Sequence, residues 1–292
     1  MNGTGRSWGA ITIVNALFTG VGSAAAISLP VEAEAVLLPA AGSKARLLTT
    51  PKDEGPLLRA VVRESLRRYA SPGRWDVQVT VRSSIPAGRG LKSSSAVSCA
   101  VVSAIASAAN RPVGALEVAR LSAAVARGIG QSATGAFDDA LAGTAGGLVV
   151  ARNGPDSLLR TDALDPSWRV VVRIPSTRHL PSPNWLPAFR ALREEGAAAA
   201  RLACSRSYPE AMAQNTDLVE RVIGSDHRSL RAGLSRLGAV AIGVSGMGPT
   251  LAVVAPAKLC PAIVQALSKG PDEIRTLDFV GPSWGGPAGV RG

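Results

Sequence analysis

The chain has 292 residues, of which 46% are hydrophobic, 18% charged and only 4% aromatic, and its formal net charge is +11. That length and apolar content exclude a disordered polymer and suit one large domain or two smaller ones, with a core of Ala, Val, Leu and Ile. Two histidines, His179 and His227, and three scattered cysteines, Cys99, Cys204 and Cys260, exclude a histidine-based metal site, a Ser-His-Asp triad and a disulfide framework.

Isolated cysteines suit reduced thiols, so a cytoplasmic protein is expected. The positive charge is spread along the chain in short clusters such as Arg67-Arg68. Without a dense basic tract interleaved with aromatics, the charge suits the steering of small anions, and no nucleic-acid partner is expected.

Near the start, "WGAITIVNALFTGVGSAAA" follows Arg6 and superficially fits a secretory signal. Thr12 and Asn15 interrupt its apolar run, and Gly20 and Gly22 read better as a turn. No stretch reaches the roughly 18 consecutive apolar residues of a membrane span, so no membrane partner is expected. Leu29 to Leu37 alternates with Glu32 and Glu34 outward, which predicts a half-buried strand. Leu57 to Tyr69 has helical spacing, and the alternation from Trp75 to Arg82 predicts another strand. Helices are predicted over Ser93 to Ala109 and Val113 to Arg127, and strands over Gly146 to Ala151 and Arg169 to Ile174.

The texture changes at "SLLRTDALDPSW", which suggests domains of residues 1–160 and 161–292. Beyond it, helices are predicted at Leu186 to Cys204, Pro209 to Ile223, Ser229 to Leu237 and Lys258 to Leu267. Strands are predicted at Ala239 to Val244, Thr250 to Ala255 and Thr276 to Val280. The glycine-rich tail from Gly281 is expected to be loose.

Chemistry concentrates in "IPAGRGLKSSSAVSCA", from Ile85 to Ala100. A strand, a glycine loop and a helix in that order aim free first-turn amides and the positive end of the helix dipole at one spot. Gly88 and Gly90 permit unusual backbone angles, Lys92 adds a charge, and the hydroxyls of Ser93, Ser94 and Ser95 can bind phosphate or Mg2+. The plainer alternative is a serine-capped helix after a glycine turn. The stretch is not a Walker A loop, because Leu91 rather than glycine precedes Lys92, and the dinucleotide fingerprint fails as well. An adjacent acid pair, Asp138 and Asp139, lies ahead of Gly146-Gly147. A carboxylate there could accept the proton of an attacking hydroxyl.

The stretch resembles the central motif of the GHMP kinases, a proline followed by "xxxGLxSSxA", here Pro86, Gly90, Leu91, Ser93, Ser94 and Ala96. "VSGMGPTLAVVA", from Val244, is similar to the family's C-terminal glycine-rich loop, with Gly246 and Gly248. "TGAFDDALAGTAGG", from Thr134, is similar to the segment that carries the catalytic aspartate. Within the family, the variant "RGLKSSSA", the sequence "TGAFDDA", the N-terminal "IVNALFTGVGSAAAISL" and "YPEAMAQN" resemble the archaeal-type shikimate kinases.

The resemblance implies an α/β (α+β) fold of two domains with the active site in the cleft between them. It also implies ATP-dependent phosphorylation of the shikimate 3-hydroxyl, with Mg2+. Homoserine or mevalonate kinase activity is the alternative within the family, and a basic nucleic-acid-binding module the alternative outside it. Seven positions before the double glycine, the mevalonate kinase spacing, is Asp139, whereas homoserine kinase-like spacing selects Asp138. Shikimate carries a carboxylate and three hydroxyls, so candidates to bind it are Asn15, Thr19, Ser23, Arg178 and Asn215. Two departures stand out: Val21 replaces an expected basic residue, and Ser122 to Thr134 contains no acid to hold Mg2+, which leaves Ser94 and the phosphates.

Overall fold

The computed structural model describes residues 1–40, 47–50, 55–70, 75–177 and 184–283. Ten strands and nine α-helices are assigned among the described residues. In the first half the elements are β1 (Asn2–Val14), β2 (Val21–Pro39), β3 (Leu47–Thr50), α1 (Pro56–Tyr69), β4 (Trp75–Ser83), α2 (Ser93–Ala108), α3 (Ala115–Gly128), α4 (Phe137–Ala145), β5 (Leu148–Arg152) and β6 (Ser157–Asp162). The second half has β7 (Trp168–Ile174), α5 (Trp185–Ala191), α6 (Arg193–Cys204), α7 (Tyr208–Ile223), α8 (Arg228–Arg236), β8 (Ala241–Val244), β9 (Leu251–Pro256), α9 (Cys260–Leu267) and β10 (Glu273–Asp278).

Two sheets result. The first runs β3-β4-β2-β5-β6, with β1 antiparallel along β2, and the second runs β10-β7-β9-β8. The change from one to the other falls at residues 163–167. A single core cluster joins Ala24, Ile27 and Val150 of the first sheet to Val170 and Val172 of the second.

The small-residue composition has a direct structural use. Helix α2 is buried nearly all round, from Ala96 through Ala108, as expected of an apolar helix enclosed in a core. Its backbone at Ala100, Ala104 and Ala108 sits directly on Gly3 and Gly5 of β1. Bulky side chains at those positions would hold the helix off the sheet. Strand β2 behaves as its alternation predicts in its second half, with Val31, Ala33, Ala35 and Leu37 buried and Glu32 and Glu34 exposed.

Other expectations change. The apolar stretch near the start forms β1 and the first half of β2, with a turn at residues 16–20; Gly20 lies in that turn but Gly22 lies in the strand. Leu186 to Cys204 is two helices, because the chain breaks at Leu192. Of the tail from Gly281, Ser283 N donates to Ala145 O at 2.7 Å, and residues 284–292 lie outside the described residues. Among the described residues no helix is long and apolar enough to cross a membrane.

Candidate active site

Four connecting segments meet at one cleft: the end of β1 with its turn, the loop from Ile85 to Lys92, the loop from Ile129 to Ala136, and the loop from Ser245 to Thr250. Three of them, the end of β1, the loop from Ile85 and the loop from Ser245, are pinned to one another by hydrogen bonds that are buried or partly buried. Thr12 N donates to Ser245 Oγ (3.2 Å), Gly246 N donates to Thr12 Oγ1 (2.8 Å), and Ser245 Oγ donates to Gly90 O (2.8 Å). Gly90 has φ 82°, and a Cβ there would overlap the Ser245 carbonyl oxygen. Only glycine supplies both that angle and that approach.

The cleft has two chambers. The first, ≈ 320 Å³, is lined on its polar side by Thr12, Asn15, Gln131, Ser132 and Thr134, and on its apolar side by Val14, Leu17, Trp185, Leu186 and Met247. The second, ≈ 370 Å³, is lined by Gly88 through Ser95 and by Gly246, Met247 and Gly248. Lys92, Gln131, Ser132, Ala136, Asp139, Trp185, Gly246 and Met247 belong to both, so the chambers adjoin.

The second chamber has the geometry of an anion cradle. Helix α2 starts there with Lys92 as N-cap residue at φ 67°, and no side chain caps it. The serines therefore do not cap the helix as their clustering at its start suggests. First-turn amides without a side-chain cap, at the positive end of a helix, can hold a phosphate. Ser94 is exposed into this chamber, while Leu91 and Ala96 are buried and anchor the loop from below. Pro86 lies in the approach to the loop, before the positive-φ residues Gly88 and Gly90. Arg89 donates to Ser176 O, which ties this loop to the chain leaving β7.

The two aspartates occupy the first turn of α4 and face different surroundings. Asp139 lines both chambers, and its Oδ1 lies 3.2 Å from Lys92 Nζ. That contact is one of charge without hydrogen-bond alignment, because the same oxygen has no hydrogen-bond partner. Asp138 is 4% exposed and touches only the first chamber. Asn153 Nδ2 donates to its Oδ1 at 2.8 Å, Asp138 N donates to Asn153 Oδ1 at 3.2 Å, and its other oxygen lies against the Gly22 backbone. Burial first and the neighbouring Asp139 second push the Asp138 carboxyl up to about 7, against the pull of Lys92 and Asn153.

The other predicted residues are distributed unevenly. Asn15 lines the first chamber, but its side chain is engaged: Nδ2 donates to Gly246 O (3.1 Å) and Oδ1 accepts from Leu17 N (3.0 Å). Asn215, fully buried on α7, accepts from Asn15 N at 2.7 Å and does not line either chamber. Thr19 accepts from Val21 N in the turn, and Ser23 is buried in β2; neither lines a chamber. Arg178 lies outside the described residues. Sequence reasoning passed over Gln131, Ser132, Thr134, Trp185 and Met247. A cluster of small polar residues between two helices, "GQSATG", was the available signal for the first three.

Residues 57–147 match the GHMP kinases N terminal domain, a span that includes the cradle and both aspartates. The chain is 31% identical over 278 residues to a shikimate kinase of Pyrococcus abyssi, covering 94% of this chain and 99% of that one. It is 33% identical to a shikimate kinase of Pyrococcus furiosus, covering 86% and 90%.

The chain belongs to the shikimate kinase family of GHMP kinases.

Solved structures agree on the fold. The Methanococcus jannaschii mevalonate kinase superposes with a TM-score of 0.73 at 13% identity, over 96% of this chain and 98% of that one. A homoserine kinase from Cytophaga hutchinsonii gives 0.68 at 14% identity, over 96% and 95%. The GHMP kinase fold is therefore that of the whole chain, and membership of a kinase family implies ATP as a substrate.

The donors around the cradle also fit Mg2+. Among the described residues no cluster of three or more His, Cys, Asp or Glu exists. Mg2+ needs none, since it is commonly held by one or two oxygen ligands together with phosphates and waters. The Ser94 hydroxyl and the Asp139 carboxylate are hard oxygen donors bordering the same chamber.

Proposed function

We propose that the enzyme transfers the γ-phosphoryl group of ATP to the 3-hydroxyl of shikimate, in the cleft between a domain of residues 1–160 and one of residues 161–292. The observation that carries this reading is Asp139, which stands with Lys92 where the anion cradle and the polar chamber adjoin, lining both. The shikimate kinases that the chain matches over most of its length supply the acceptor.

In this mechanism the amides from Gly90 to Ser95 and the α2 dipole hold the ATP phosphates, with Pro86, Gly88, Leu91 and Ala96 shaping the loop. Gly246 and Gly248 close over it. Ser94, with Asp139 beside it, would hold Mg2+, which supplies charge neutralisation of the phosphates when bound. Asp139, which lines both chambers, accepts the proton of the attacking hydroxyl, and Lys92 beside it offsets the charge of the transferred group. Geometry ranks before acidity in the choice of base. Asp138 is walled in by Asn153 and Gly22, and when protonated it spares Asp139 an adjacent negative charge.

In the first chamber, neutral groups from Thr12, Asn15, Gln131, Ser132 and Thr134 face the acceptor hydroxyls, and the wall of Val14, Leu17 and Trp185 faces its carbon ring. Arg178 is the candidate for the carboxylate. Asn215, Thr19 and Ser23 act through the β1–β2 turn that Asn215 and Thr19 fasten. Reduced cysteines accord with a cytoplasmic enzyme.

An ADP-release assay with shikimate, homoserine and mevalonate tests the reading. Turnover with shikimate alone is expected. Turnover with homoserine or mevalonate and none with shikimate would overturn the choice of acceptor. A salt-sensitive DNA or RNA shift without any ATP turnover would overturn the enzyme itself.

A further inference from the structure

The segment from Gln131 to Ala136 lines both chambers but has no helix or strand of its own to hold it. Its near end hangs from α3, where Gln131 N and Ser132 N donate to Ala126 O at 2.9 and 3.2 Å. Its far end depends on Arg127. Nη1 of that residue donates to the Thr134 carbonyl at 3.2 Å. Gly135, at φ 84°, passes so close that a Cβ would overlap the same Nη1.

Asp156 aims that guanidinium. The pair is bidentate, with Nη1 to Oδ1 at 2.8 Å and Nη2 to Oδ2 at 2.5 Å. Asp156 is 7% exposed and sits in the turn between β5 and β6 at φ 52°, an angle uncommon outside glycine. Gly154 N donates to its Oδ1 (3.2 Å), and Arg120 Nε donates to its carbonyl (3.1 Å). The same turn carries Asn153, which holds Asp138 and donates to Thr134 Oγ1 at 3.4 Å. One short turn thus braces both the acid pair and the polar wall of the first chamber.

We propose that Arg127 and Asp156 form a positioning pair that sets the phosphoacceptor chamber through the Thr134 carbonyl. A bidentate and mostly buried ion pair also contributes to stability, so a positioning role shows itself in the substrate KM values and in exchange over the segment rather than in the melting temperature. The fork is needed because one guanidinium spans a carboxylate and a carbonyl, and an ammonium has no such planar reach. The larger effect falls on the acceptor: Thr134, whose carbonyl takes the Arg127 bond, and Ala133 line only the first chamber, and although Gly135 lines only the second, that chamber does not depend on this segment alone. The cradle has separate anchors in Ser245–Gly90 and Thr12–Gly246.

The proposal rests on the reading of the first chamber as the acceptor site. It is tested on the full chain with Arg127→Ala, Arg127→Lys and Asp156→Asn. Steady-state kinetics are measured against both substrates, and backbone hydrogen exchange over residues 131–136 is measured without ligands. All three variants are expected to raise the shikimate KM about tenfold and leave the ATP KM within about twofold, with faster exchange in the segment. Lower melting temperatures with unchanged shikimate KM and unchanged exchange would overturn the proposal. Should Arg127→Ala not fold, the two milder variants decide. Absence of shikimate turnover in the unaltered enzyme would refute the function instead; the exchange measurement would still decide on the brace, with unchanged exchange in the variants overturning it.

Discussion

The second chamber takes the largest continuous share of its lining from one stretch, Gly88 to Ser95, whereas the first draws on shorter pieces near 12–17, 131–139, 185–186 and 246–247. The difference follows from what each must hold. A phosphate chain is met by backbone amides and a helix end, which one loop and one helix supply together. A small polyhydroxylated acid needs several side chains converging from different directions, and only tertiary packing brings them together. Changes to the cradle should therefore act on the nucleotide and on the chemistry. Changes to the first chamber should act on the acceptor.

The sharpest way to break this comparison lies where the chambers adjoin. Asp139→Asn is expected to lower kcat by roughly 10³-fold, the scale of losing a general base, while both substrates still bind. Calorimetric titration with shikimate and with an ATP analogue, beside the rate measurement, checks both halves. Wild-type turnover in Asp139→Asn would remove it as the base and return the role to Asp138.

Ser94→Ala addresses the cradle alone. With no capping bond to lose, its stability should change by less than the ~1 kcal/mol of a helix cap. Its kcat should fall roughly 10²-fold, as when one preorganised polar contact to developing charge is removed, with a higher Mg2+ requirement. Equal losses in stability and activity would favour a capping role and leave the cradle to the backbone.

The contrast between the chambers also explains which parts of the molecule were legible in the sequence. The cradle was readable because its parts are contiguous: an alternating strand to Ser83, positive-φ glycines, and an alanine-rich helix from Ser93. Gln131, Ser132 and Thr134 were not, because nothing local says that a loop between two helices will face Asn15 and Trp185. Strand β1 hid for a related reason: Gly3, Gly5 and Gly9 break the side-chain alternation, and their purpose, close approach of α2 and of the loop before it, exists only in the folded chain. Asp138 and Asp139 were legible as a pair but not as individuals. Their difference lies in Asn153 and Lys92, distant in sequence and adjacent in space.

A smaller effect is expected where the chambers share a fastening. Thr12→Val keeps the side-chain volume but leaves the buried Gly246 N–H without its acceptor, at a cost of about 1–3 kcal/mol. Because Gly246 lines both chambers, the KM values for ATP and shikimate should rise together, each a few-fold. Thermal unfolding and two-substrate kinetics read the two consequences. A rise confined to shikimate would trace to the lost Thr12 hydroxyl in the first chamber rather than to the glycine loop, and would break the expected link between the chambers.

The smallest effect on turnover is expected at Asp138, whose acidity shows itself as a pH dependence of stability. Its folded carboxyl titrates near 7, above the unfolded value of about 4, so the native state holds a proton that the unfolded chain has lost across that interval. Native binding of the extra proton means that this group's contribution to stability is fully present below about pH 4, declines as pH rises, and is gone above about pH 7. Asp138→Asn retains an amide for Asn153 to pair with and removes the titration. The variant should therefore gain stability relative to the unaltered protein as pH rises from 5 to 8, in melting curves at each pH. A difference in melting temperature that stays constant over that range would place the Asp138 carboxyl at an ordinary acidity. The buried carboxylate would then stand ionised beside Asp139 at neutral pH, and the division of labour between the two acids would need another basis.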